Sequence, residues 1–63
     1  MALKELYVGD LVRLLFSNSY GVIVEKSTRS LPDEYIVHSY FVHYSDGRHR
    51  WEIDEAIEFV ARG

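Results

Sequence analysis

Residues 34–53 read EYIVHSYFVHYSDGRHRWEI, and this stretch decides how the rest of the chain can fold. Apolar and aromatic side chains alternate with other residues on both sides of Asp46-Gly47. An Asp-Gly pair between two alternating runs is the strongest short-range signal for a β-hairpin. The pattern therefore predicts two antiparallel strands joined at Asp46-Gly47.

A two-residue loop at Asp46-Gly47 would also set the register of this hairpin. Ser45 would then oppose Arg48, and three further pairs would follow: Tyr44 with His49, Val42 with Trp51, and Tyr40 with Ile53. The face toward the core would carry Tyr40, Val42, Tyr44, Trp51 and Ile53. The outer face would carry Phe41, His43, Arg50 and Glu52. Because a slip of one residue moves a whole strand's side chains to the other face, the register decides which residues are core.

Two more strands are predicted before the hairpin. Gly9-Asp10 is a turn signal, and residues 11–16 are mostly apolar and compatible with a strand. Residues 22–24 are three consecutive β-branched residues, which is typical of a strand. Residues 27–33 are rich in turn formers and contain a proline, so we expect a long, mobile loop there.

The C-terminal residues 53–63 allow two structures. Their apolar residues recur at helical spacing after a capping residue, Asp54, but they also alternate around Glu58 as in a strand. A segment of this length is marginal as an independent helix. We therefore expect one helical turn at residues 54–56, followed by a short strand at residues 58–61.

Length and composition restrict the class of protein. A chain of 63 residues permits one domain, residues 1–63, with residues 1–8 as a lead-in segment. Five Tyr, three Phe and one Trp are more aromatic surface than so small a core hides, which favours self-association. Cysteine is absent, so no disulfide or thiolate metal site can form.

Net charge and the length of the apolar runs restrict the classes of partner that the protein can bind. A net charge of −3 with only seven Lys and Arg makes a nucleic-acid partner less favoured, because phosphate binding depends on clustered cations. Lys4 and Glu5 stand where a signal peptide needs a long apolar run. No apolar run is long enough to span a bilayer. We therefore expect a cytoplasmic protein with no membrane partner.

Four segments together resemble a known family of folds. They are the residues 9–13, 21–24, 40–47 and 54–61, and they resemble the strands and the single helical turn of a small SH3-like barrel of the KOW or Tudor type. The resemblance covers nearly the whole chain from Tyr7 onward. It implies an all-β, five-stranded SH3-like barrel with one short helical turn before the last strand. Such families include nucleic-acid-associated modules, methylated-residue readers and small structural subunits.

The residue pattern contains no catalytic or metal constellation. In the predicted register His38 and His43 lie on opposite faces, and His49 lies near the turn, so no pair converges as a zinc site requires. Alternation also separates Ser39 and Ser45 from histidines that could activate them. We therefore expect no enzymatic activity, no metal and no cofactor.

A binding module is the leading hypothesis, acting through protein–protein contact that includes self-association. Its candidate binding residues are Phe41, His43, Arg48, Arg50, Glu52 and Tyr20. An aromatic anchor beside Arg is typical of protein interfaces. The alternatives are a nucleic-acid accessory module that uses Arg48 and Arg50 with nearby aromatics, and a small structural subunit of a larger complex. A cation-binding cage is a further idea, built from Phe16, Tyr20, Tyr44 and Trp51 beside Asp46.

Overall fold

The computed structural model describes residues 5–63. Five antiparallel strands form one sheet: β1 (Leu11–Leu14), β2 (Tyr20–Ser30), β3 (Ile36–Tyr44), β4 (His49–Ile53) and β5 (Ile57–Ala61). Their order across the sheet is β4-β3-β2-β1-β5, so β4 and β5 are its two edges. A 3₁₀ turn at Asp54–Ala56 separates these two strands. The all-β class, the number of strands and the helical turn before the last strand are confirmed.

One apolar core lies on the inner face of the sheet. Its buried side chains are Leu6, Val12, Ile23, Tyr40, Val42, Tyr44 and Ile57. They come from β1, β2, β3, β5 and the segment before β1. Residues 1–4 of the predicted lead-in lie outside the described residues, whereas Leu6 within it is only 1% exposed. Burial of each such side chain stabilises the fold by about 1.5–3 kcal/mol.

The turn between β3 and β4 has three residues, not the predicted two. The Gly47 N–H donates to the Tyr44 carbonyl at 3.0 Å, and the Tyr44 N–H donates to the Arg48 carbonyl at 2.8 Å. Gly47 has a φ of 93°. A type I turn followed by a left-handed residue is the usual three-residue hairpin loop. Tyr44 therefore opposes Arg48, and the predicted register is wrong by one residue.

This shift moves the side chains of β4 to the opposite face from the one expected. Trp51 and Ile53, predicted in the core, are 49% and 48% exposed on the outer face. Glu52, predicted on the outer face, pairs with Tyr40 and is only 7% exposed. Arg50 moves with Glu52 to the inner-face side, opposite Val42. The inward placement of the β3 residues is confirmed, and the placement of the β4 residues is wrong.

The connection between β2 and β3 is also a tight hairpin. The Glu34 N–H donates to the Leu31 carbonyl at 2.9 Å, and the Leu31 N–H donates to the Tyr35 carbonyl at 2.7 Å. β2 runs on to Ser30, which pairs with Ile36. The long mobile loop predicted at residues 27–33 is therefore wrong, because most of it pairs in the sheet.

The two hairpin turns share one geometry. Asp33 and Asp46 occupy the same position, and the carboxylate of each accepts a hydrogen bond from the backbone N–H two residues later, at 3.3 Å and 3.0 Å. Glu34, with a φ of 66°, stands where the other turn has Gly47. The left-handed conformation costs an L-residue roughly 1–2 kcal/mol and costs glycine little.

Substitutions at these two left-handed positions should therefore change the free energy of unfolding in opposite directions. We expect Glu34→Gly to raise the free energy of unfolding by about 0.5–1 kcal/mol and Gly47→Ala to lower it by about 1–2 kcal/mol. Urea unfolding measures both effects. Ser30→Gly, in the adjoining strand, is the control and should destabilise, because strand glycine only adds unfolded-state entropy. A loss of stability in Glu34→Gly equal to that in Ser30→Gly would contradict the shared turn geometry.

Candidate functional site

Four rings line the outer surface of β3 and β4, and we call Phe41, His43, His49 and Trp51 the aromatic face. The Phe41 and Trp51 ring centroids lie 5.2 Å apart at an angle of 43°. The His43 and His49 rings are stacked, with centroids 4.3 Å apart and planes 20° apart. Phe41 also lies 6.0 Å from His49, which joins the two pairs into one surface.

The alternation of the two strands builds this face. Residues 41 and 43 of β3 point to the same side, and the three-residue turn places residues 51 and 49 of β4 directly opposite them. Because Tyr44 and Arg48 form the hydrogen-bonded pair next to the turn, His43–His49 and Phe41–Trp51 are the closer, non-hydrogen-bonded pairs. Such cross-strand pairs contribute roughly 0.2–1 kcal/mol each, so the face has a structural role as well.

Apolar side chains extend the aromatic face on both sides. Val22 of β2 lies opposite His43 and is about two-fifths exposed. Ile53 follows Trp51 on the same face of β4, where it opposes Ser39. Trp51 also borders an open groove with a volume of about 340 Å³, whose other lining residues are Ser27, Arg29 and Ser39. The result is a continuous apolar surface next to a polar groove.

Two of the predicted binding residues lie on the other side of the sheet. The Glu52 carboxylate accepts a hydrogen bond of 2.6 Å from the Tyr44 hydroxyl and lies 3.8 Å from the Arg50 guanidinium. Burial, and then the hydrogen bond to Glu52, raise the pKa of Tyr44 well above its ordinary value. Tyr44 therefore remains a hydrogen-bond donor at neutral pH. Glu52 acts as its buried acceptor and is not part of an outer binding face.

Arg48 lies apart from the aromatic face, whereas Tyr20 points to the same outer surface, two residues before Val22 on β2, at the margin of that surface. Arg48 follows the turn, with its side chain exposed and its Nε 3.4 Å from the Asp46 carboxylate. Tyr20 begins β2 and opposes Arg13 in the register of β1. Of the predicted binding residues, the structure therefore brings together only Phe41 and His43, and it adds two residues that the sequence analysis placed elsewhere.

The predicted cation cage does not form. Tyr44 is buried on the inner face, whereas Trp51 is exposed on the outer face. Phe16 is fully exposed in the turn between β1 and β2. These rings cannot surround one ligand because the sheet stands between Tyr44 and Trp51.

The hairpin end carries a small polar pocket of about 30 Å³ near Ser19 and Tyr44. In residues 5–63, no group of three or more His, Asp and Glu side chains is arranged to hold a metal ion. None of the helical segments in that range is long and apolar enough to cross a membrane.

Comparison of the chain with protein-family models, curated proteins and solved structures gave no match.

Proposed function

We propose that this protein is a non-enzymatic interaction module that docks another protein chain on its aromatic face. The observation that supports the proposal is the exposure of Trp51, whose ring packs at a tilt against Phe41 and is 49% exposed. Trp is among the residues most enriched at the centres of protein interfaces, because it supplies a large contact area with few rotatable bonds. An apolar surface of this extent on a small domain is typical of an interaction site.

A second copy of the chain is the partner that we propose. Two identical aromatic faces related by a two-fold axis would offer each other the same ring chemistry, as an isologous interface requires. Association also suits the size of the chain, since a single core in so small a domain supplies only a few kcal/mol of stability. The four side chains of the aromatic face include no Lys, Arg, Asp or Glu, and Glu25 of β2, opposite Phe41, is a neighbouring carboxylate.

The same proposal includes the finer fold assignment, an SH3-like barrel of the KOW or Tudor type. Two features support it. The core draws residues from β5 and β3, which are not neighbours in the sheet, and a curled sheet would bring these strands to one core, although β4 and β5 are not paired with each other in the structure. The short 3₁₀ turn at Asp54–Ala56 connects the two edge strands directly. Because this fold serves many functions, the docking proposal depends on the aromatic face and not on the barrel.

A nucleic-acid accessory role is less well supported by the charges. Arg48 lies beside Asp46, and Arg50 lies beside Glu52. Arg13 donates hydrogen bonds to the Glu58 carboxylate. Carboxylates next to these guanidinium groups oppose the approach of phosphates.

Light scattering over a range of protein concentrations tests the proposal. We expect the mean mass of the wild-type protein to rise toward that of a dimer, and Trp51→Ser and Phe41→Ser to remain monomeric. Tyr35→Ser is the control, because Tyr35 is a ring at the other hairpin that is 60% exposed, more than Trp51 at 49%, and its loss should not affect the mass. A wild-type protein that stays monomeric, or a Trp51→Ser variant that dimerises normally, would contradict the proposal.

Binding to RNA or DNA distinguishes the rival function. The docking proposal predicts no retention on immobilised nucleic acid at physiological salt. Retention that weakens steeply as salt rises, and that Arg48→Ala with Arg50→Ala abolishes, would favour the nucleic-acid role instead.

A further inference from the structure

We propose that His43 and His49 form a chelating site for a divalent transition-metal ion of the nickel, copper and zinc class. This inference goes beyond protein docking and concerns the single chain, because a second copy docked on the aromatic face would cover both histidines. It follows from the three-residue turn, because the register that the turn sets brings two imidazoles side by side. Imidazole nitrogen is a preferred ligand of these metals.

The spacing of the two rings suits a chelate. Their centroids lie 4.3 Å apart. Two imidazoles bound to one ion through nitrogens at about 2.1 Å, with a right angle at the metal, would have centroids roughly 4.5 Å apart. Right angles between ligands belong to the square-planar and octahedral sites typical of Cu²⁺ and Ni²⁺. The two side chains are therefore already at the required separation.

Binding requires a rotation of the rings but no movement of the backbone. The stacked rings are 20° from parallel, so their nitrogens do not yet converge on one point. Rotation about χ2 turns the ring edges toward a shared ion, and this torsion is broad for histidine. Both residues are exposed, so the rotation meets solvent and not the core.

The surroundings leave the remaining coordination positions to water. No third His, Asp or Glu completes a cluster with the pair within the described residues. The nearest outward-facing carboxylate in the register is Glu25 of β2, opposite Phe41, and it adds negative potential. Arg48 and Arg50 flank His49 in sequence, but each lies beside a carboxylate, Asp46 and Glu52 respectively. The site would thus hold its ion by two protein ligands.

His38 provides an internal control. It lies near the start of β3, far along the strand from the pair, and its Nδ1 is 3.2 Å from the Thr28 hydroxyl. An adventitious affinity of single histidines for metal would involve the half-buried His38 as well as the pair. Chelation by His43 and His49 would not involve His38.

Calorimetric titration of the untagged full chain with NiCl₂ at pH 7.5, at a protein concentration at which light scattering gives the mass of the monomer, tests the site. We expect one ion per chain, an affinity at least tenfold lower in His43→Ala and in His49→Ala, and no change in His38→Ala. The affinity should fall at pH 5, because protons compete for the imidazole nitrogens. MgCl₂ should not bind, since Mg²⁺ prefers oxygen ligands.

Two further measurements keep the test decisive. Thermal unfolding without metal shows that each alanine variant is folded, and added Ni²⁺ should raise the unfolding temperature of the wild type and His38→Ala only. Trp51→Ser should bind Ni²⁺ normally, which separates this site from the docking proposal. Absence of nickel binding by the wild type would overturn the inference, as would binding that persists after both His43 and His49 are replaced.

Discussion

Gly21→Ala is expected to remove a large share of the protein's free energy of unfolding. A Cβ atom at Gly21 would lie 2.6 Å from Cγ1 of Val42, 2.8 Å from the carbonyl oxygen of His43 and 3.1 Å from Cα of Tyr44. The valine methyl can rotate away, but two of these atoms belong to the backbone of β3. Relief of the clash therefore requires β2 and β3 to separate at the centre of the core.

The expected cost is about 3 kcal/mol, at the upper end of overpacking effects. The free energy of unfolding of a chain of 63 residues is about 3–9 kcal/mol, so this loss takes a large share of it. Urea unfolding or thermal unfolding measures the effect, and we expect the unfolding temperature to fall by more than about 10 °C.

Gly47→Ala is the matched control for Gly21→Ala. A Cβ atom at Gly47 meets nothing within 4 Å, so only the positive φ of that residue opposes alanine. Gly21 has no such backbone constraint, and only space opposes alanine there. If Gly21→Ala destabilises the protein no more than Gly47→Ala does, β2 and β3 do not lie as close together at Gly21 as the structure shows.

The same substitution at two buried tyrosines should have opposite effects. The hydroxyl of Tyr44 donates to the buried Glu52 carboxylate, whereas the hydroxyl of Tyr40 has no hydrogen-bond partner among residues 5–63. Tyr44→Phe removes a partner from a buried charge, which costs about 2–3 kcal/mol. Tyr40→Phe removes an unpaired polar group, so we expect it to be neutral or to stabilise by up to about 1 kcal/mol.

Urea unfolding at pH 7 compares the two variants directly. Because each loses one oxygen atom from the same core, the difference between them reports the hydrogen bond and not the packing. Equal losses of stability in Tyr40→Phe and Tyr44→Phe would show that the bond between Tyr44 and Glu52 contributes nothing.

The pH dependence provides a second readout of the Tyr44 bond. The pKa of Tyr44 in the folded state is raised above that of an unfolded tyrosine, which is about 10. Its contribution to stability is therefore fully present below pH 10 and declines as the pH rises further, because only the unfolded state then releases the proton. Tyr44→Phe should lose less stability than the wild type between pH 9 and pH 11.

Local patterns in the sequence predicted much of this fold. The apolar runs indicated the strands, and Asp54 as a capping residue favoured the short turn that the structure has at Asp54–Ala56. Asp54 lies within the turn, however, and the capping position is Ile53, with no side-chain hydrogen bond. The inward placement of Tyr40 and Val42 followed from alternation alone. Each of these features depends on neighbouring residues, whose patterns the sequence contains directly.

The candidate site was only half predictable, because it depends on the length of one turn. Phe41 and His43 were expected on the outer face, whereas Trp51 was expected in the core and His49 near the turn. Asp-Gly suits a two-residue loop, but the glycine here is the third residue of a loop that begins at Ser45. Because the loop is one residue longer than predicted, Trp51 lies on the outer face and Glu52 on the inner face. The same shift places His49 opposite His43.

The length of β2 was missed for a different reason. Ser27, Thr28 and Arg29 are common in turns, and Pro32 argued against pairing nearby. In the structure these residues pair with β3 up to Ser30, and proline occupies a position of the following turn where its missing N–H is not needed. Pairing across the hairpin thus overrides the local preference.

Because of the order of the strands, some strand pairs join residues that are close in the sequence and one pair joins residues that are far apart. β2, β3 and β4 follow one another through three-residue turns, whereas β1 joins β5 across nearly the whole chain, with Leu14 opposite Ile57. Loop-closure entropy makes that last pairing about 2 kcal/mol less favourable than closing a three-residue turn. The backbone pairing of β1 with β5 is therefore supported by side chains, through the burial of Ile57 and the hydrogen bonds from Arg13 to Glu58.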